Sequence, residues 1–124
     1  MSPRVLYIED NAENRMLVRR ILMVEGFEVL DADNAHDGIQ MALENPPDII
    51  LMDISMPGYD GLSATQVLRQ RPELDHVPII AVTANVMKGD REQTLRAGCD
   101  GYIPKPIDVD QFPDLIRSFL DSNS

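Results

Sequence analysis

Short apolar runs alternate along this chain with segments whose apolar residues recur at helical spacing. The apolar runs have the length of strands and cover residues 4–9, 27–32, 48–53, 78–84 and 101–105. Helices are predicted at 12–25, between Asn34 and Pro46, at 62–70, at 85–97, and from about 110 onward. Each predicted strand is therefore followed by a predicted helix.

Turn-forming residues mark the ends of these elements. Gly26 lies where the first helix would end, and Asn34 is a suitable N-cap for the second. Pro113 lies near the start of the last helix, which should therefore begin no earlier than about Asp110. The faces predicted to pack inward comprise Leu17, Val18, Ile21, Leu22 and Val24 of the first helix and Phe112, Leu115, Ile116, Phe119 and Leu120 of the last.

Five strand–helix units in succession predict an α/β fold. The third strand, DIILMD, is nearly all apolar, as expected for a parallel strand covered on both faces. Right-handed crossovers then give a five-stranded parallel sheet between two layers of helices. The expected architecture is a flavodoxin-like (βα)5 three-layer sandwich with strand order 2-1-3-4-5. Residues 1–124 are predicted to form a single domain without an output domain.

The composition limits the partners that this domain would meet. Hydrophobic residues make up 44% of the 124 residues, which suits a packed core. A formal net charge of −10 disfavours binding to nucleic acid or to an anionic membrane surface. No apolar run approaches the ~20 residues of a membrane-spanning helix, and the start does not resemble a signal peptide, so a cytoplasmic location is expected. The single cysteine, Cys99, is predicted to be buried.

Ionisable and polar residues collect at the predicted strand ends. The third strand runs into Asp53, which is costly to bury and is followed by the loop ISMPGYDG. The first strand ends in Glu9 and Asp10, the fourth at Thr83 and the fifth at Lys105. Because the carboxyl ends of parallel strands meet at one edge of the sheet, we expect these side chains to lie together.

This set of residue types predicts phosphoryl chemistry. Three carboxylates in one pocket repel each other, and a divalent cation would remove that conflict. Oxygen ligands without nearby His or Cys favour a hard ion, Mg²⁺ first. Asp53 is the best nucleophile, because it lies between the acidic pair and the positively charged Lys105. The arginines at 15, 19 and 20 are interpreted as the solvated face of the first helix.

Four motifs carry a resemblance to a known family. They are YIED, DIILMDISMPGYDG, PIIAVTA and GYIPKP, and their order and spacing resemble the CheY-like receiver domain of two-component response regulators over nearly the whole chain. The stretch ANVMKGDREQTLRAGCDGYIPKPID is most similar to stand-alone cell-cycle regulators of the DivK kind. That narrower resemblance implies a role in cell-cycle or cell-division control. Receivers within hybrid histidine kinases are also very similar, so this origin remains an alternative.

The resemblance implies roles for the matching residues of the metal site. Asp53 would be the phosphorylated residue and a metal ligand. Asp10 and the backbone carbonyl of Ser55 would bind Mg²⁺ directly, while Glu9 would act through water. Mn²⁺ is expected to substitute for Mg²⁺. Many receivers have two aspartates where this chain has Glu9 and Asp10, and the longer Glu9 would change the water structure around the metal.

The resemblance also implies a phosphate partner and a switch. Lys105 would pair with the phosphoryl group, and the peptide bond between Lys105 and Pro106 would be cis. Thr83 would move toward the phosphate, and Tyr102 would turn inward behind it. The phosphoryl donor would be a histidine kinase or a histidine phosphotransfer protein. A downstream protein would then bind the face formed by residues 85–97, strand 101–105 and the last helix.

Other functions remain to be weighed against a signalling switch. The chain is expected to catalyse only its own phosphorylation and slow dephosphorylation, and so not to be an enzyme in the usual sense. A phosphate relay or sink would use the same Asp53 chemistry. A phosphatase of the haloacid dehalogenase type needs a second Asp two residues after the nucleophile, where this chain has Ser55. A flavin binder needs a first loop rich in Ser, Thr and Gly, where this chain has EDNAEN.

Overall fold

The computed structural model of the chain describes residues 2–54, 61–83 and 88–122. The strands are β1 (Arg4–Ile8), β2 (Glu28–Ala32), β3 (Ile49–Asp53), β4 (Ile79–Thr83) and β5 (Gly101–Pro104). The helices are α1 (Ala12–Val24), α2 (Ala35–Glu44), α3 (Gly61–Arg69), α4 (Lys88–Arg96) and α5 (Phe112–Ser122). All neighbouring strands are parallel, in the order β2-β1-β3-β4-β5. The predicted fold class and strand order are confirmed.

The local signals set the element ends as predicted. The side chain of Asn34 accepts a hydrogen bond from the backbone N–H of Asp37 and caps α2. Gly26 follows α1 with φ of +92°. The last helix begins at Phe112, within the expected limit. A short 3₁₀ helix at Pro72–Leu74 was not predicted, because three residues are too few to show a periodic pattern. Residues 84–87, which the prediction divided between a strand and a helix, lie outside the described residues.

The sheet separates two apolar layers, as the alternation along its strands requires. Successive residues of a strand point to opposite faces. Side chains of Leu6, Ile50 and Met52 pack on the face that α2 and α3 cover. Side chains of Val5 and Leu51 pack with α1 and α5 on the other face. Every residue of β3 is buried, which explains its nearly continuous apolar sequence.

Three residues that were predicted to pack inward are exposed. Val24 is 84% exposed, Leu17 39% and Leu115 36%. On α1 the buried positions are Val18 and Leu22, and a helix turns by about 100° per residue, so Val24 lies on the far side from Leu22. Leu17 and Leu115 each lie one residue from the centre of a buried face. The apolar residues of α1 and α5 therefore extend over a wider part of each helix surface than the sheet covers.

Arg69, at the end of α3, holds together the loops at the amino ends of the strands. Its Nε donates to the carbonyl of Gly98 at 2.8 Å, and its Nη1 donates to the carbonyls of Val77 at 2.9 Å and Leu74 at 3.2 Å. Its Nη2 forms an ion pair with Asp100. The side chain is thus fixed at several atoms and has little freedom to move aside.

Gly98 provides a test of this packing. It has φ of +112°, and a Cβ atom built there would lie 2.6 Å from Cγ of Arg69. Gly26 also has positive φ, at +92°, but an added Cβ atom meets nothing within 4 Å. Gly26→Ala should therefore lower the free energy of unfolding by about 1 kcal/mol through backbone strain alone. Gly98→Ala should lower it by about 2–4 kcal/mol, because the clash is added to the same strain.

Urea denaturation of the two variants and the parent chain would check this difference. Equal losses of stability in both variants would mean that the Arg69 side chain moves aside freely.

Cys99 is buried, as predicted, and its environment makes the thiol unreactive. The residue is 5% exposed, and its Sγ lies 3.8 Å from Oγ1 of Thr65. Burial raises the pKa of the Cys99 thiol to about 11. At pH 7.5 the folded chain should therefore react with iodoacetamide at least about a hundredfold more slowly than the same chain in urea, since the thiolate is the reacting form. Mass spectrometry of timed samples measures both rates, and comparable rates would contradict the burial.

Candidate functional site

The polar residues singled out in the sequence lie at the carboxyl ends of four neighbouring strands. Glu9 and Asp10 directly follow β1, Asp53 is the last residue of β3, Thr83 is the last residue of β4, and Lys105 directly follows β5. In the sheet, β1 and β3 are direct neighbours, which brings the acidic pair beside Asp53. The topology alone therefore gathers these side chains at one edge.

Three carboxylates form the centre of the site. Glu9, Asp10 and Asp53 each offer one oxygen, and these atoms all lie within 4.8 Å of one another. Glu9 is 0% and Asp53 2% exposed, whereas Asp10 is open to solvent. A set of closely spaced carboxylate oxygens with one solvent-facing member is suited to a hard divalent cation. The donor set thus fits a metal of the Mg²⁺ type.

Lys105 brings a positive charge into this acidic cluster. Its Nζ donates to Oε1 of Glu9 at 2.8 Å and to Oδ2 of Asp53 at 3.2 Å. Burial by itself would lower the pKa of Lys105, but the hydrogen bond to Glu9 and the negative charge of Asp53 outweigh it and raise the pKa. The ammonium group therefore remains charged at neutral pH.

Glu9 accepts hydrogen bonds from residues that were not predicted to belong to the site. Its Oε1 accepts hydrogen bonds from the hydroxyl of Tyr7 at 3.0 Å and from Nδ2 of Asn14 at 3.0 Å, besides the one from Lys105. Burial would raise the pKa of Glu9, but the hydrogen bonds that Lys105 and Asn14 donate to it outweigh this effect and lower the pKa. Glu9 is therefore an anion at neutral pH, although it is fully buried.

Tyr7 and Asn14 were missed by the sequence analysis. Tyr7 lies in the apolar run 4–9, which was predicted only as a strand, and it is two residues from Glu9 and so points to the same face. Its burial and the nearby carboxylate of Glu9 raise the pKa of its hydroxyl, which stays protonated and donates. The sequence did contain a signal for this contact, because a tyrosine stands two residues before Glu9 in the same strand.

Arg15 corrects the interpretation of the arginines as a solvated face. Its Nη1 donates to the backbone carbonyl of Glu9 at 2.8 Å, and its Nε lies 3.1 Å from Oδ2 of Asp31. Arg19 forms a second ion pair with Asp31 at 2.7 Å. Arg15 thus fastens the end of β1 to α1 and β2, whereas Arg19 and Arg20 are exposed as predicted.

The remaining predicted residues lie around this centre. Thr83 is 3% exposed, and Tyr102 is half-buried in β5, where it packs against the core that α2 and α3 cover. In the strand register, Thr83 lies opposite Pro104, two residues beyond Tyr102. The peptide bond between Lys105 and Pro106 is cis. Ser55 lies outside the described residues, so its carbonyl is not placed.

Comparison with known proteins identifies the family. The family model of the response regulator receiver domain matches residues 5–117. The chain belongs to this family. Among curated relatives of this receiver domain, the polar-differentiation response regulators DivK of Brucella anthropi and Brucella ovis are each 42% identical over 120 residues. Each alignment covers 97% of this chain and 98% of the relative.

Solved structures agree with this assignment. The receiver domain of the sensor histidine kinase PA1611 from Pseudomonas aeruginosa has a TM-score of 0.89 and 32% identity, with 98% of this chain and 99% of that chain covered. That protein has a magnesium ion coordinated in its active-site cleft. The chemotaxis protein CheY4 of Vibrio cholerae has a TM-score of 0.91 at 21% identity, covering 95% and 98% of the two chains, and supports the fold.

The part of this receiver that the structure describes contains no helix that is both long enough and apolar enough to cross a bilayer.

Asp10 provides a test of the charge conflict in the receiver site. Among the described residues it forms no ion pair, and it lies beside two buried carboxylates. In metal-free buffer, Asp10→Asn should raise the free energy of unfolding by about 1 kcal/mol, because one of three mutually repelling charges is removed. Mg²⁺ is expected to stabilise the parent chain, and this gain should largely disappear in the variant, because one carboxylate of the cluster is removed.

Urea denaturation with and without Mg²⁺ measures both effects. Asp75→Asn is a matched control, since it removes the same charge from an exposed position before β4, at the other end of the sheet. A less stable Asp10→Asn variant that keeps the full Mg²⁺ response would contradict this interpretation.

Proposed function

We propose that this receiver is a phosphorylation-dependent signalling switch in which Asp53 accepts a phosphoryl group. The observation that carries the proposal is the position of Asp53, which is buried between two acidic residues and the ammonium of Lys105, 3.2 Å from its Oδ2. A carboxylate in a metal-binding cluster with a lysine beside it has the groups that phosphoryl transfer requires. Membership of the receiver family supports the same assignment.

Mg²⁺ is the proposed cofactor, with Mn²⁺ as a substitute. Asp10, Asp53 and the backbone carbonyl of Ser55 would hold it directly, and Glu9 would act through water. The cluster of carboxylate oxygens within 4.8 Å supports this ligand set, as does the magnesium ion in the PA1611 receiver domain. When bound, the ion supplies positive charge that offsets the negative charge on the transferring phosphoryl oxygens.

In the proposed transfer, an oxygen of Asp53 attacks the phosphorus of a phosphohistidine. The new oxygen–phosphorus bond forms as the phosphorus–nitrogen bond breaks, and the imidazole of the donor leaves. Lys105 then pairs with the phosphoryl group, since its ammonium already lies beside Asp53. The donor is a histidine kinase or a histidine phosphotransfer protein. The domain performs only its own phosphorylation and slow dephosphorylation.

The proposed output is a change of one protein-binding face. Thr83 would move toward the phosphoryl group, and Tyr102 would turn inward, altering the face formed by α4, β5 and α5. Thr83 is buried at the end of β4, and Tyr102 is half-buried in the neighbouring strand β5, which is part of that face. These positions support the proposed coupling of the two side chains. A preference of only a few kcal/mol between two existing states is sufficient for such a switch.

The proposed biological role is control of the cell cycle or cell division in the cytoplasm. The 42% identity to DivK proteins, whose name describes polar differentiation, supports this role. A downstream protein that binds the phosphorylated α4–β5–α5 face would deliver the output. A phosphate relay would use the same Asp53 chemistry, but phosphorylation would then leave the affinity for such a partner unchanged.

Intact-mass measurement with acetyl phosphate tests the acceptor assignment. In the presence of Mg²⁺ the parent chain should gain the mass of one phosphoryl group, and it should gain none when EDTA removes the metal. Asp53→Asn should gain none in either condition, because an amide oxygen is a poor nucleophile. Asp75→Asn, which removes the same charge outside the site, should behave as the parent chain does.

A phosphoryl group that appears on Asp53→Asn would show that another residue is the acceptor. Phosphorylation that proceeds unchanged in EDTA would contradict the proposed role of the metal.

A further inference from the structure

Glu9 is held by two side chains that the proposed phosphoryl transfer does not use. The hydroxyl of Tyr7 donates to its Oε1 at 3.0 Å, and Nδ2 of Asn14 donates to the same oxygen at 3.0 Å. Lys105 is the third donor to Oε1, at 2.8 Å. Lys105 has a separate role beside Asp53, whereas the proposed transfer gives Tyr7 and Asn14 no role of their own.

Tyr7 is fixed by the core of the domain. It is 0% exposed, and its ring belongs to the apolar layer between the sheet and helices α1 and α5. Only its hydroxyl reaches the polar end of the strand, where it finds Glu9 as a partner. Because buried hydroxyls are nearly always hydrogen-bonded, this contact is part of the folded structure rather than an incidental approach.

Asn14 is fixed by the start of helix α1. Its backbone N–H donates at 2.9 Å to the side chain of Asn11, the N-cap of the helix. The side chain of Asn14 is half-buried and lies over Glu9 from the side of the helix. A donor from the strand and a donor from the helix therefore converge on one oxygen.

The two oxygens of Glu9 differ sharply in their surroundings. Oε1 accepts three hydrogen bonds, which exhausts its capacity as an acceptor. Among the described residues, the donor that faces Oε2 is the backbone N–H of Asn11 at 3.5 Å, which is too long for a good hydrogen bond. The carboxylate thus has one oxygen committed to the protein and one available.

We propose that Tyr7 and Asn14 are positioning residues of the metal site, which fix Glu9 through Oε1 and leave Oε2 as the oxygen that would bind a water of the metal. This inference rests on the proposed function, because it concerns the same Mg²⁺ site. Tyr7 would then position a residue of the metal site as well as pack in the core.

The length of the Glu9 side chain makes the inference testable. An aspartate at position 9 would be shorter by one carbon–carbon bond, or about 1.5 Å. Distances of 3.0 Å from Tyr7 and Asn14 would then grow by as much as about 1.5 Å, which takes them beyond the range of a good hydrogen bond. Tyr7 and Asn14 should therefore influence the metal only while residue 9 is a glutamate.

Calorimetric titration of Mg²⁺ into the full chain and its variants measures this coupling. Tyr7→Phe and Asn14→Ala should each weaken Mg²⁺ binding by about tenfold, as expected when the support of a metal-site residue is lost. In a Glu9→Asp background, Tyr7→Phe should change the affinity by less than about twofold. Val5→Ala serves as the control, because it creates a cavity on the same face of β1 without touching Glu9. It should lower the melting temperature and leave Mg²⁺ affinity unchanged.

Three results would overturn the inference. If Tyr7→Phe and Asn14→Ala bind Mg²⁺ as the parent chain does, while Asp53→Asn still abolishes Mg²⁺-dependent phosphorylation, the positioning role is wrong and the proposed function stands. An equal loss from Tyr7→Phe in the parent and Glu9→Asp backgrounds would show that Tyr7 acts only through packing. A parent chain without measurable Mg²⁺ affinity would overturn the inference and the proposed function together. If Tyr7→Phe does not fold, Asn14→Ala decides, since it changes a residue near the surface.

Discussion

The concentration of negative charge at one end of a buried sheet is the constraint on which the rest of this structure depends. Glu9 and Asp53 are both buried beside Asp10, and one ammonium group, that of Lys105, lies among them. Three carboxylates and one ammonium leave two negative charges. A single divalent cation would balance them. Buried charges without such compensation cost several kcal/mol, so the metal-free cluster lowers the stability of the fold.

The two ends of the sheet carry different tasks. At the amino ends of the strands, Arg69 closes the loops by donating to several backbone carbonyls and pairing with Asp100. At the carboxyl ends, three carboxylates lie around the ammonium group of Lys105, and Arg15 donates a hydrogen bond to the backbone carbonyl of Glu9. The apolar layers on both faces of the sheet connect these two ends.

The sequence predicts the fold and the acidic cluster, but not every contact that holds the cluster in place. Apolar runs of strand length determine the parallel sheet, and its topology brings the strand-end carboxylates together, so both follow from the pattern of residues. The exposure of Leu17, next to the buried Val18, could not be predicted, because spacing alone does not show how wide a face the sheet covers. The exposure of Val24 follows from the helical turn of about 100° per residue and was available from the sequence. Tyr7 in a buried strand has the pattern of a core residue. Its role as a donor appears only when α1 and β5 have placed Asn14 and Lys105 around the same oxygen.

Anomalous diffraction from crystals of the chain soaked in Mn²⁺ tests the charge balance most directly. We expect one strong manganese peak within bonding distance of carboxylate oxygens of Asp10 and Asp53, at about 2.1–2.2 Å, close to the distances for Mg²⁺. Lys105 should remain beside Asp53, since its charge and that of the ion are both needed to offset the carboxylates. If the carboxylates bind no ion at a Mn²⁺ concentration well above that of the protein, a divalent cation does not balance their charge.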